Sequence, residues 1–183
     1  MNHISLSAAY SKASRLCHNH VLPEQQPEEV QQLLQVLHQL AEQLQQQCGP
    51  RELANIIYSC SRLRNALTAK QLLTELLQDG KLQQANPQDV SGTLRTVCKL
   101  GIWLTHMELQ QLAQQLMRVL PQAKPRDVAT SLHALADVGE QLAHGDLQQM
   151  VRHILQMQPD IRPSDCANIL RALASMEHTP DLL

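Results

Sequence analysis

Four prolines, Pro50, Pro87, Pro125 and Pro163, stand 37, 38 and 38 residues apart. Each opens a similar phrase: Pro-Arg-Glu-Leu-Ala at 50, Pro-Gln-Asp-Val-Ser at 87, Pro-Arg-Asp-Val-Ala at 125 and Pro-Ser-Asp-Cys-Ala at 163. A fixed period of this size marks a repeat architecture, in which each unit stacks on the next because it cannot bury its apolar face alone. Such a chain offers an extended surface rather than one deep pocket. Function is therefore to be sought in surface chemistry.

The stretch after each proline reads as one amphipathic helix, here called the A helix. Leu53, Ile57, Cys60 and Leu63 recur at helical spacing, as do Val90, Leu94, Val97 and Leu100, then Val128, Leu132, Leu135 and Val138, then Cys166, Leu170, Leu173 and Met176. Proline suits the first helical position, where no amide donor is required, and the acid two residues later (Glu52, Asp89, Asp127, Asp165) faces the positive helix end. Gly101 and Gly139 are placed to close their helices in the left-handed conformation.

A second helix, B, is expected between successive A helices. Thr68 with Gln71 and Thr105 with Glu108 have capping-box spacing. The inward positions are Leu72, Leu73, Leu76 and Leu77, then Leu109, Leu112, Leu116 and Leu120, then Leu147, Met150, Val151, Ile154 and Leu155. Pro27 opens the earliest B helix, with Val30, Leu33, Leu34, Leu37, Leu40 and Leu44 inward. The chain has no Phe, two Tyr and one Trp, and helix formers dominate it. The expected fold is all-α, an α-solenoid of stacked helix-turn-helix repeats of about 38 residues.

Residues 6–16 match residues 53–63, which makes them a degenerate first A helix. The repeats then run over residues 3–49, 50–86, 87–124, 125–162 and, as a partial unit, 163–183. The first holds about nine extra residues, assigned to a loop over Leu22–Gln26 and a longer B helix. The last stops where a B helix would begin, so the array is expected to be part of a longer one or to self-associate through its uncapped C-terminal repeat. The opening segment has Lys12, Arg15, several serines and no acid, a transit-peptide composition, but its alignment with the repeat makes it a helix first.

Composition excludes several classes. Net charge is −2, so no global basic field gathers polyanions. No apolar run reaches the roughly 18 residues of a membrane span, so no membrane role is expected. The five cysteines show no CxxC spacing and fit a reducing compartment inside a cell; Cys60 and Cys98 fall on apolar helical positions as buried thiols. Cys17-His18-Asn19-His20 is one short cluster without a second, and no metal or other cofactor is assigned. No phosphate loop, nucleophile–base set or paired carboxylates stand out, so a non-catalytic protein is expected. Trp103, between Ile102 and Leu104, reads as a core plug. The glutamines interleaved with leucines at 43–47 and 109–116 read as solvated faces of B helices.

Charge is segregated within the near-neutral total. Segments 4–16, 50–64, 87–101, 124–139 and 162–177 hold 11 of the 15 Lys and Arg and six of the 17 acids. The A helices are thus basic and the remainder acidic. Beside the apolar positions lies an outward stripe at 3,4 spacing: Ala8, Ser11, Arg15; Asn55, Tyr58, Arg62; Gly92, Arg95, Lys99; Thr130, His133, Asp137; Asn168, Arg171, Ser175. One varied polar residue per repeat beside recurring Arg or Lys suits single-stranded RNA. Arg stacks on bases and grips phosphate, while Asn or Thr addresses base edges. The candidate contacts are Arg15, Asn55, Tyr58, Arg62, Arg95, Lys99, Thr130, His133, Asn168 and Arg171.

The period and the A-helix text resemble the octotricopeptide repeat family. Its first helix reads roughly Pro-x-Asp/Glu-Leu-Ala-Asn-x-Leu-Trp-Ala-Leu-Ala-Lys-Leu-Gly, and Pro163 through Ala174 runs Pro-Ser-Asp-Cys-Ala-Asn-Ile-Leu-Arg-Ala-Leu-Ala. Pro125 through Gly139 is similar, and Pro87 through Gly101 keeps the Lys-Leu-Gly ending. The family's Trp position holds Tyr58, Arg95, His133 and Arg171 here, and its Pro-Pro-Pro-Glu-Trp signature is absent. The resemblance implies an RNA-binding α-solenoid of organellar type. Related arrays in bacterial proteins imply the alternative, a protein-interaction scaffold acting inside a host cell.

Overall fold

In a computed structural model, the structure describes residues 2–16, 28–78, 80–139 and 142–177. Among these it is all-helical and contains no strand. The helices are α1 (His3–Leu16), α2 (Glu28–Leu44), α3 (Pro50–Leu63), α4 (Ala66–Leu77), α5 (Pro87–Leu100), α6 (His106–Val119), α7 (Pro125–Asp137), α8 (His144–Gln156) and α9 (Pro163–Glu177). The chain divides into two compact units. One comprises Met1–Ala85 with Lys99–Ile102, the other Asn86–Cys98 with Trp103–Leu183. The Leu22–Gln26 loop and Pro27 lie outside the described residues.

The helix starts arise from the proline and the acid. Pro50 and Pro125 occupy the first helical turn, after Gly49 and Lys124 as caps. At α5 the box is reciprocal: the Asn86 amide donates to Asp89 Oδ2 at 3.1 Å, and the Asp89 amide donates to Asn86 Oδ1 at 3.0 Å. The Lys124 amide donates to Asp127 Oδ2 at 3.2 Å. Asp89 and Asp165 are buried while doing so, each with a partner, since Asp165 accepts two bonds from Arg162. The carboxylate thus satisfies a specific orphan donor as well as the helix dipole.

The sequence pattern gives no hint of the turns that precede each proline. After each B helix comes a short 3₁₀ turn at Gln45–Gln47, Leu82–Gln84, Leu120–Gln122 or Gln158–Asp160, closed by an extended residue. Those residues are Cys48, Ala85, Ala123 and Ile161, and the first three are buried. They anchor the chain as it turns into the next A helix.

In the first unit α1 packs on α3, α3 on α4, and α2 on both α1 and α4. In the second unit α7 packs on α9 and α8 on α7, while α5 meets α7 through the Ser91 hydroxyl at 3.5 Å from Asp127 and Cys98 at 3.2 Å from Asp137. The expected apolar rows of α3, α5 and α7 are buried at Leu53, Ile57, Cys60, Val90, Leu94, Val97, Val128, Leu132 and Leu135. Two further rows are buried as well. One holds Ile56, Thr93, Ser131 and Ile169 with Ser59, Thr96, Ala134 and Ala172; the other holds Ser7, Ala54, Ser91 and Ala129. Most of these side chains are small, which lets neighbouring A helices approach closely.

Several inward assignments need correction. Cys166 and Leu170 of α9 are exposed, Leu170 by 62%. The side of α9 that is buried carries Ile169, Ala172 and Met176, a consequence of its packing on α7. Trp103 is 79% exposed rather than a core plug. Residues 102–105 are non-helical, so successive side chains alternate, and Ile102 and Leu104 are the two that turn inward. Leu33 and Leu155 are exposed because α2 and α8 bury only narrow stripes, centred on Leu37 and Ala41 and on Met150 and Ile154. Helix α4 is capped by Asn65, whose Oδ1 accepts from the Thr68 amide at 3.1 Å, not by Thr68. The Thr105–Glu108 capping box is present as expected.

Thr93 and Ser131 occupy equivalent positions, and their hydroxyls are buried with no hydrogen-bond partner among the described residues. A buried unpaired hydroxyl carries a desolvation cost. Thr93→Val and Ser131→Ala should each therefore raise the unfolding free energy by about 1 kcal/mol in urea titration. Destabilisation by either would show that the hydroxyl is paired in solution.

Candidate nucleic-acid interface

Three buried sides leave α3, α5 and α7 one open side each, and the outward stripe lies on it; on α9 the row of Cys166 and Leu170 is exposed as well. On α3, Asn55 and Tyr58 are exposed and Arg62 is half-buried. On α5, Arg95 and Lys99 are exposed and Gly92 is half-buried. On α7, Thr130 and His133 are half-buried and Asp137 is exposed; on α9, Asn168 is half-buried and Arg171 exposed. Arg15 of α1 is exposed. The first unit thus gathers Arg15, Asn55, Tyr58, Arg62 and Lys99, and the second Arg95, Thr130, His133, Asn168 and Arg171. Because α1 packs on α3 and α7 on α9, Arg15 shares a layer with the α3 residues, and Thr130 and His133 with the α9 residues.

The stripe is not uniformly cationic. His133 Nδ1 lies 3.0 Å from Asp137 Oδ2, one helical turn away, and the same oxygen accepts from the Cys98 thiol at 3.2 Å. Asp137 therefore holds two neighbours at once and places a carboxylate among the candidate RNA contacts. Cys98, expected as a buried thiol, is half-buried at this junction. Burial, with Asp137 as acceptor and as a like-signed neighbour, pushes its pKa up to about 11. The group placed against the Cys98 thiol is the Asp137 carboxylate, which also faces the His133 imidazole. Cys60, fully buried in α3, is pushed up to about 12 by burial.

No group of three or more His, Cys, Asp or Glu positioned for a metal ion occurs among the described residues, and the Cys17-His18-Asn19-His20 cluster lies outside them. No helix among the described residues is long and apolar enough to cross a membrane.

Two features escape a reading of the sequence. The Cys98–Asp137–His133 junction joins residues on two helices, and only the α7 pair has a visible i,i+4 spacing. Arg64 takes the left-handed conformation, φ 56°, at the register where Gly101 and Gly139 sit at φ 60° and 74°. Its one signal in the sequence is the departure from glycine.

Comparison with protein-family models and with curated proteins finds no match to this chain.

Brief iodoacetamide treatment at pH 8, followed by peptide mass mapping, should label exposed Cys166 well ahead of Cys98 and Cys60. Asp137→Asn removes the negative charge beside the Cys98 thiol, lowers the thiol pKa and should speed its labelling. Equal rates in both proteins would contradict the junction.

Proposed function

We propose that the chain is a non-catalytic RNA-binding α-solenoid, its repeats of about 38 residues each presenting the open side of an A helix to single-stranded RNA. The observation that carries this reading is the recurrence of an exposed to half-buried, mixed polar and cationic stripe on the A helices, whose other sides are buried on α3, α5 and α7. Arg62, Arg95, Lys99 and Arg171 grip phosphates; Arg15 serves the same role on α1. Asn55, Tyr58, Thr130, His133 and Asn168 meet bases, with Tyr58, 37% exposed, as the aromatic stacking surface. The similarity to octotricopeptide repeats in the A-helix text supports the same reading and points to an organelle or the interior of a host cell.

The test is a fluorescence-anisotropy titration with single-stranded RNA across salt concentrations. Wild-type binding should weaken steeply with salt, and Arg95→Ala with Lys99→Ala should reduce the log–log salt slope by about 1 per lost phosphate contact, uniformly across sequences. Absence of salt-sensitive binding in the wild type would sink the proposal.

One observation favours a second reading, a protein-interaction scaffold. Cys166 and Leu170 of α9 occupy positions whose equivalents, Leu53 and Ile57, Val90 and Leu94, and Val128 and Leu132, are buried. If this side docks a partner or a second copy, sedimentation should show association that Leu170→Gln abolishes without altering RNA affinity.

A further inference from the structure

The corner where α3 turns into α4 carries a cleft of about 500 Å³, entirely within the first unit. Its apolar walls are Leu34 of α2, Leu63 at the end of α3 and Leu67 at the start of α4. Its polar groups include Gln35, Arg64 and Asn65, and no carboxylate lines it among the described residues. A volume of this order holds a small molecule, and a mostly apolar lining with a few convergent polar groups is the usual make-up of a ligand site.

The base of the cleft is held from within. His38 Nδ1 lies 2.7 Å from the Thr68 hydroxyl, and His38 Nε2 lies 3.5 Å from Glu42 Oε1. Nδ1 is thus held by Thr68 while Nε2 faces Glu42, and the imidazole acts as wall. The Asn65 side-chain carbonyl accepts the Thr68 amide, which leaves the Asn65 side-chain NH₂ as a donor. Arg64 differs from both. Its guanidinium makes no hydrogen bond or ion pair among the described residues.

Arg64 also stands where glycine is the unstrained choice. Its φ of 56° matches Gly101 and Gly139 at the equivalent corners, where no Cβ opposes the left-handed backbone. This corner alone of the three puts a cation at the rim, in a conformation that disfavours it.

We infer that the cleft binds a single nucleotide, with its phosphate on the Arg64 guanidinium and its base between Leu34 and Leu67. The guanidinium fork matches a phosphate, the leucines cover the faces of a planar ring, and the amides of Gln35 and Asn65 supply donors and acceptors for its edge. The absence of acids from the lining, among the described residues, suits an anion. None of the stripe residues lines the cleft, and the inference does not depend on the RNA proposal.

The test titrates uridine 5′-monophosphate, adenosine 5′-monophosphate, uridine and octanoate into the full chain, followed by amide NMR. Saturable shifts at Gln35, Asn65 and Leu67 are expected for both monophosphates. Uridine should bind about tenfold or more weakly, the range for losing one charge-assisted contact. Arg64→Gly should remove that preference and, by relieving the backbone, raise the melting temperature, so lost binding cannot be ascribed to unfolding. Leu67→Trp, which fills the cleft, should block both monophosphates. No saturable shifts, equal affinity for uridine and its monophosphate, or tighter binding of octanoate would each overturn the inference. If RNA binds the stripe while the monophosphates leave the cleft unshifted, the cleft proposal alone fails. If the monophosphates bind and RNA does not, only the RNA proposal fails.

Discussion

Side-by-side packing of the A helices depends on keeping their flanks small. α1 lies on α3 and α7 on α9, and the flanks carry Ser7, Ala54, Ser59, Thr96, Ala129, Ala134 and Ala172 in buried positions. Interaxial distance is set by the side chains at the contact, so a large residue at any of these points would push two helices apart. With both flanks and the apolar row buried, an A helix has one side left for solvent. The surface stripe exists because of that geometry.

Three of the serines and threonines on these flanks, Ser59, Ser91 and Thr96, return their hydroxyls to their own helix. Ser59 donates to the Asn55 carbonyl at 2.8 Å and Thr96 to the Gly92 carbonyl at 2.9 Å. This bonding lets a small polar residue be buried between helices at little cost. Thr93 and Ser131 are two flank positions where it fails among the described residues.

Much of this was legible in the sequence because period, proline and acid all report on local structure. The A helices, their starting carboxylates, the left-handed Gly101 and Gly139 and the Thr105 cap can be derived from spacing alone. What was not legible depends on which neighbours are present. Leu170 has the sequence pattern of Leu94 and Leu132, yet it is exposed, since a pattern records the preference of a face and not what covers it. Trp103 misled for a related reason: bulk suggested burial, while the direction of an extended segment decided against it. In the candidate interface, exposure of Asn55, Arg95 and Arg171 could be read from helical phase. The Asp137 junction with Cys98 could not, because its partners lie 39 residues apart in sequence. The cleft at Arg64 likewise needs α2 beside α4 before its lining exists.

Charge segregation and helix phase together give the proposed interface a defined chemical character: guanidinium and ammonium groups along one helix side, with amide, hydroxyl, phenol and imidazole groups between them. Asp137 interrupts it, and its two bonds to Cys98 and His133 hold that carboxylate against the protein. The most direct measurement is photocrosslinking to 4-thiouridine-substituted single-stranded RNA, with mass-spectrometric mapping of the attached peptides. Attachment is predicted in peptides spanning 55–62, 95–99, 130–133 and 168–171. Crosslinks confined to α6 and α8, or none at all, would contradict an RNA interface on the open side of the A helices.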